Sequence, residues 1–199
     1  MVLYETQNDL PLTEEEIKAR DIMVNLFIPV LKFILSDINY DEFKRWGFNS
    51  CRQTAILGAV YLKSLLPSYT IKAYEGVFEE DNEEYEHGFI IASKDSRKLI
   101  IDLSRTHKRL LFRVIKDDEN LYPHEEEYSI CKYKSKQEYN LTDLFYKTNS
   151  AEYITGKNPR ELFLYITSLV NFLKNNKTKE EQNKFANMIY TNFTCLKYN

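Results

Sequence analysis

Residues 50–67 constrain the fold more than any other part of the chain. Ser50-Cys51-Arg52-Gln53 has the pattern of a capping box, in which the hydroxyl and the third-position amide each satisfy an orphan backbone donor at a helix start. It opens a run carrying Ala55, Ile56, Leu57, Ala59, Val60, Tyr61, Leu62, Leu65 and Leu66, ended by Pro67. Apolar residues occupy nearly every face of that helix, and a helix patterned this way is enclosed by other elements. A chain of 199 residues is long enough to enclose it: at this size roughly 70% of the unfolded surface is buried, without metal or disulfide staples.

The flanking segments predict the enclosing elements. Thr13-Glu14-Glu15-Glu16 is a second capping box. The helix it starts runs through Ile17, Ile22, Met23, Leu26, Phe27, Val30, Leu31 and Ile34, with Pro29 expected to kink or divide it. Residues 36–41 read as a break, followed by a short helical segment over 41–45. After Pro67 the texture changes. Residues 69–78, 85–92 and 98–103 are rich in β-branched and aromatic side chains between polar turns and predict strands, with 110–115 and 127–133 as weaker ones. Asn158-Pro159 reads as an N-cap followed by proline at the first helical position. That helix carries Leu162, Phe163, Tyr165, Ile166, Leu169, Val170 and Phe172, and Thr178-Lys179-Glu180-Glu181 caps a last one through Tyr190. Helices, then strands, then helices imply α+β, with a central buried helix on a mainly antiparallel sheet. The expected organisation is a single domain over 1–199, with its chemical core within 41–135 and a C-terminal helical pair over 158–196.

Composition narrows the function classes. Apolar residues make up 43% and charged residues 29%, with 5 Gly and 5 Pro, which excludes collagen-like, mucin-like and disordered chains. A net charge of −3, spread along the chain, disfavours a dedicated nucleic-acid binder. Cys51, Cys131 and Cys195 are odd in number and lack C-x-x-C spacing, so neither a disulfide framework nor a zinc finger is expected. A reducing, cytoplasmic setting is the simpler expectation. Residues 1–16 lack a basic region followed by an apolar run, so no signal peptide is expected. The apolar stretch 22–35 is too short for a bilayer and is interrupted by Asn25, Pro29 and Lys32, so no membrane partner is expected. No cofactor or metal is implied: His107 and His124 are isolated, and His124 beside Glu125, Glu126 and Glu127 lacks helical ligand spacing. Nothing in the pattern specifies an oligomeric state.

Three residues could carry chemistry together. Cys51 falls at the first turn of the buried helix, where free N–H groups and the positive dipole end favour a thiolate and offer donors to an oxyanion. A cysteine nucleophile needs a base, and the base an orienting acceptor. His87 lies in the strand-like run 85–91, and Asp102 ends the run 99–102. If these form an antiparallel hairpin turning at Lys94-Asp95, positions whose numbers sum to 189 face each other, and His87 meets Asp102 directly. Alternation then sends Phe89 and Ile91 to the His87 face and Ile101 to the other; a one-residue slip would part the pair. Taken singly, each has a plainer role: an inert core thiol, a hydrogen-bonded histidine, an aspartate capping the turn before Ser104.

Asn49-Ser50-Cys51-Arg52-Gln53-Thr54-Ala55, Glu86-His87-Gly88-Phe89-Ile90-Ile91 and Ile100-Ile101-Asp102-Leu103-Ser104 together resemble the transglutaminase-like branch of the papain-fold cysteine enzymes, over residues 45–105. The resemblance implies a papain-like fold and acyl transfer through Cys51, His87 and Asp102 on an amide bond of a protein or peptide, as in a peptidase or a transglutaminase or deamidase. It implies an oxyanion hole built from the Cys51 N–H and a second donor, with Trp46 and Asn49 ahead of Gln53, which the capping box occupies. Phe89 stands where tryptophan is frequent, and no Arg-Gly-Gly precedes Cys51, which argues against acetyl-CoA chemistry. Two other readings stand beside it: a non-catalytic interaction protein on the same scaffold, and a small-molecule acyltransferase.

Two charged segments complete the pattern. Residues 79–86 hold six carboxylates, read as a solvated hairpin tip or as a site rim favouring basic substrates. Arg105, His107, Lys108, Arg109, Arg113 and Lys116 form a basic stretch read as a solvated strand rather than a nucleic-acid face.

Overall fold

The computed structural model describes residues 3–4, 10–38, 51–80, 83–104, 110–115, 132–141 and 159–195. In chain order the elements are β1 (Leu3–Tyr4), α1 (Glu14–Ile22), a π-helical turn (Met23–Phe27), α2 (Ile28–Ile38), α3 (Cys51–Leu65), β2 (Thr70–Glu80), β3 (Glu83–Lys94), β4 (Arg97–Asp102), β5 (Leu110–Ile115), β6 (Lys132–Glu138), α4 (Pro159–Asn176) and α5 (Lys179–Cys195). The architecture is α+β. The sheet has the order β1-β5-β4-β3-β2-β6, with every pairing antiparallel except that of β1 with β5.

The N-terminal helix starts on its capping box. The Thr13 amide donates to Glu16 Oε2 at 2.6 Å, and the Glu16 amide donates to the Thr13 hydroxyl at 3.3 Å. Pro29 does not divide this helix, which stays helical through Ile38, past the expected break at 36. The strain is taken up one turn earlier, where Ile28 N–H reaches back five residues to the Met23 carbonyl. In that wider register the next donor would be residue 29, which as proline has none, so the Val24 carbonyl loses its helical partner. The Tyr190 hydroxyl replaces it, donating to the Val24 carbonyl at 2.6 Å in a buried setting. The two C-terminal helices, α4 and α5, pack on the π turn and on α2, where this bond is made.

A second buried tie holds α1 to the sheet. Glu16, with no exposed surface, accepts from Arg97 through both carboxylate oxygens at 2.7 Å and from the Tyr69 hydroxyl at 2.7 Å. Burial opposes its charge, but these donors and the Thr13 amide hold its carboxyl down at about 2.

Helix α3 is buried along most of its length and packs on β2 and β3, as its all-round apolar pattern required. Ile90, Ala92, Leu99, Ile101, Leu103 and Phe112 join its core, while Phe89, Ile91, Ile100 and Leu111 are buried outside that cluster. Two strands depart from expectation. The last runs over Lys132–Glu138, beyond the expected end at 133, since Lys-Tyr-Lys-Ser-Lys-Gln-Glu is a charged sheet edge with little apolar alternation to find, and residues 127–131 lie outside the described ones. β1 is two residues long, too short for any periodic signal, and residues 41–45 lie outside the described ones. Among the described residues no helix is long and apolar enough to cross a membrane.

Candidate active site

Cys51 is the first residue of α3, where backbone N–H groups have no helical acceptor. It is a free cysteine and only 6% exposed. What faces it is set by the β3–β4 hairpin. Pairs run from Ile90↔Ile101 to Lys94↔Arg97, so paired numbers sum to 191 rather than 189, and the two-residue turn is Asp95-Ser96. The reason is local: Asp95 takes φ of 53°, a left-handed conformation that a short polar side chain tolerates and a tight hairpin requires.

The slip is two residues, so each side chain keeps its face. His87 and Asp102 become diagonal rather than direct neighbours on the face of Phe89 and Ile91, and Ile101, paired with Ile90, lies on the other face. A diagonal pair is within reach of an imidazole. His87 Nε2 lies 2.8 Å from Asp102 Oδ2, with His87 8% and Asp102 1% exposed. The other carboxylate oxygen, Oδ1, accepts from the Ser104 hydroxyl at 2.9 Å and from the Ser104 amide at 3.3 Å. Asp102 therefore fills both roles weighed for it: one oxygen caps the turn and the other holds the imidazole. Ser104 was missed as a partner, although Asp-x-Ser is a recognisable side-chain-to-backbone turn signal.

Nε2 of His87 is turned to Asp102, and the imidazole and the Cys51 sulfur each shift the other's titration. Burial pushes the Cys51 thiol up, but the hydrogen bond and charge of His87 and the Gly88 backbone N–H outweigh it, leaving the thiol below its ordinary value. Burial pushes His87 down, and the charge and hydrogen bond of Asp102, helped by Cys51, override it and hold the imidazole up at about 9. Both shifts favour thiolate facing imidazolium. Gly88 is required for this approach: a Cβ there would stand 2.7 Å from the Cys51 carbonyl oxygen.

A group of side chains beside the cysteine was not anticipated. Arg52 donates through Nε to Glu75 Oε1 and through a terminal nitrogen to Glu86 Oε2, each at 2.5 Å. Tyr139 donates its hydroxyl to the same Glu75 oxygen at 3.0 Å. In sequence, only Arg52 adjoining Cys51 and Glu86 adjoining His87 could have suggested it.

Of the expected oxyanion donors, Gln53 lies half-buried in the first turn of α3, while Trp46, Asn49 and the capping residue Ser50 lie outside the described residues. Of the acidic segment, Glu79 pairs with Glu84 and Glu80 with Glu83 between β2 and β3, and residues 81 and 82 lie outside the described ones. Of the basic stretch only Arg113 is described, and His107, His124 and Cys131 lie outside the described residues. Among the described residues no group of His, Cys, Asp and Glu side chains could hold a metal ion. No protein-family model, curated protein or solved structure matches the chain.

Proposed function

We propose that the chain is a cysteine-dependent enzyme of the papain-like, transglutaminase-like kind, acting on an amide bond of a protein or peptide. The observation that carries this is one arrangement: Cys51 at a helix start, its thiol held down by the charge of His87, whose Nε2 is 2.8 Å from Asp102. In this reading the Cys51 thiolate attacks the amide carbonyl, and the carbonyl electrons move onto oxygen beside the Cys51 backbone N–H. As the tetrahedral intermediate collapses, the His87 imidazolium protonates the departing amine, and a thioester remains on Cys51. Neutral His87 then takes a proton from water or from an acceptor amine, whose attack releases the acyl group and restores the thiolate. Asp102 holds the imidazole orientation and stabilises its charged form.

The test is the ultraviolet absorbance of the thiolate, titrated in the intact protein against Cys51→Ser. The expected result is a Cys51 thiolate persisting well below the ordinary thiol range of about 8.5 and moving back up in His87→Ala. A Cys51 that ionises only in the ordinary range or above would remove the nucleophile and defeat the proposal. A non-catalytic interaction protein has one observation on its side: Cys51 and His87 are only 6% and 8% exposed. The same titration separates the two, since a binding scaffold has no need of an ionised sulfur.

A further inference from the structure

The residues that adjoin Cys51 and His87 in sequence are joined to each other. Arg52 follows Cys51 and Glu86 precedes His87, and the two are ion-paired. Glu75, the second carboxylate on Arg52, sits opposite Gly88 in the β2–β3 register. Tyr139 braces Glu75 and is itself fixed by its backbone N–H donating to the Ala73 carbonyl at 2.8 Å. We propose that Arg52, gripped between Glu75 and Glu86, is a positioning residue that holds the first turn of α3 against β3 at the separation that brings the Cys51 sulfur to His87. The proposal rests on reading Cys51 as the nucleophile.

The geometry supports a positional role over a merely stabilising one. A guanidinium is a planar fork whose donors leave in fixed directions, so engaging two carboxylates through different nitrogens restricts where its backbone can lie. The side chains of Arg52, Glu75 and Glu86 are 38%, 22% and 58% exposed, and ion pairs this open to water add little to global stability. The opposite limit on the gap is steric: Gly88 lies against the Cys51 carbonyl, so α3 cannot come closer. Contact sets the near limit and the grip of Arg52 the far one.

Titration of the Cys51 thiolate by ultraviolet absorbance tests this in the full chain, with circular dichroism as the check on folding. A purely through-space effect and a positional one predict opposite signs for the carboxylates. Removing a nearby negative charge should by Coulomb's law lower the Cys51 pKa, whereas releasing the grip weakens the His87 contact and raises it. The expected results are a rise of about one unit in Arg52→Ala and in Glu75→Ala, tenfold less thiolate below the titration, with Arg52→Lys in between. Glu86→Gln, at an exposed position that folding should tolerate, is expected to shift in the same upward direction. A downward or absent shift in the folded carboxylate variants overturns the positioning role while leaving the wild-type thiolate, and the catalytic reading, intact. A wild-type Cys51 that titrates in the ordinary range overturns both.

Discussion

A Cβ on Gly88 would stand 2.7 Å from the carbonyl oxygen of Cys51 and 2.9 Å from its carbonyl carbon. Both are backbone atoms of a helix start and cannot swing aside. Gly88→Ala is therefore expected to push α3 off β3, costing about 1–3 kcal/mol in chemical denaturation and raising the Cys51 pKa. Gly58→Ala is the contrast, since its nearest neighbours are the ends of flexible side chains, Ile90 Cδ1 at 3.2 Å and Met23 Cε at 3.4 Å. The helix-propensity gain of about 1 kcal/mol should leave that variant near neutral. Equal losses at both glycines would show that the Gly88 contact has no special consequence.

Asp102 is the main reason His87 holds its proton to about 9 despite burial. In Asp102→Asn the imidazole pKa, followed by proton NMR of the ring, is expected to drop to or below the ordinary value of about 6.5. Under the proposed mechanism, turnover should fall on the order of 10²- to 10⁴-fold. An unchanged His87 titration would remove Asp102 from the site.

Glu16 governs the acid side of stability. Its folded pKa, about 2, is below the ordinary value of 4.5, so the unfolded chain binds its proton more readily. The stability it contributes is present above about pH 4.5 and is lost as pH falls toward about 2, up to about 3 kcal/mol in all. Glu16→Gln is expected to lower stability at neutral pH and to flatten this limb of the pH–stability curve. An acid limb as steep as in the wild type would show that other carboxylates dominate it.

Tyr190 and Pro29 form a testable pair. Tyr190→Phe leaves the buried Val24 carbonyl without a donor and should cost about 1–3 kcal/mol. On a Pro29→Ala background, residue 29 regains an N–H that can serve the helix carbonyls, so the same substitution should cost clearly less. Strict additivity in the double-mutant cycle would refute the link between the proline and the tyrosine.

Legibility in the sequence followed the range of the interaction. Thr13 with Glu16 and Thr178 with Glu181 were readable because a helix cap is complete within four residues. The burial of α3 was readable because its pattern left no polar face. The shared face of His87 and Asp102 was legible in a sturdier way, since strand parity survives a slip of two residues even though the expected partner does not. The slip itself came from the backbone of Asp95, a single turn residue with φ of 53°.

What the chain order alone determined was therefore the main helices, the central strands and which side chains could share a face, because caps, periods and alternation act between near neighbours. The tertiary structure decided the separations. The fit of Gly88 against Cys51, the grip of Glu75 and Glu86 on Arg52, the second oxygen of Asp102 turned to Ser104, and the bond of Glu16 to Arg97 all join atoms whose distance depends on register and packing. Hydrogen bonds and charges act over a few ångströms, and no local pattern specifies an ångström across a fold.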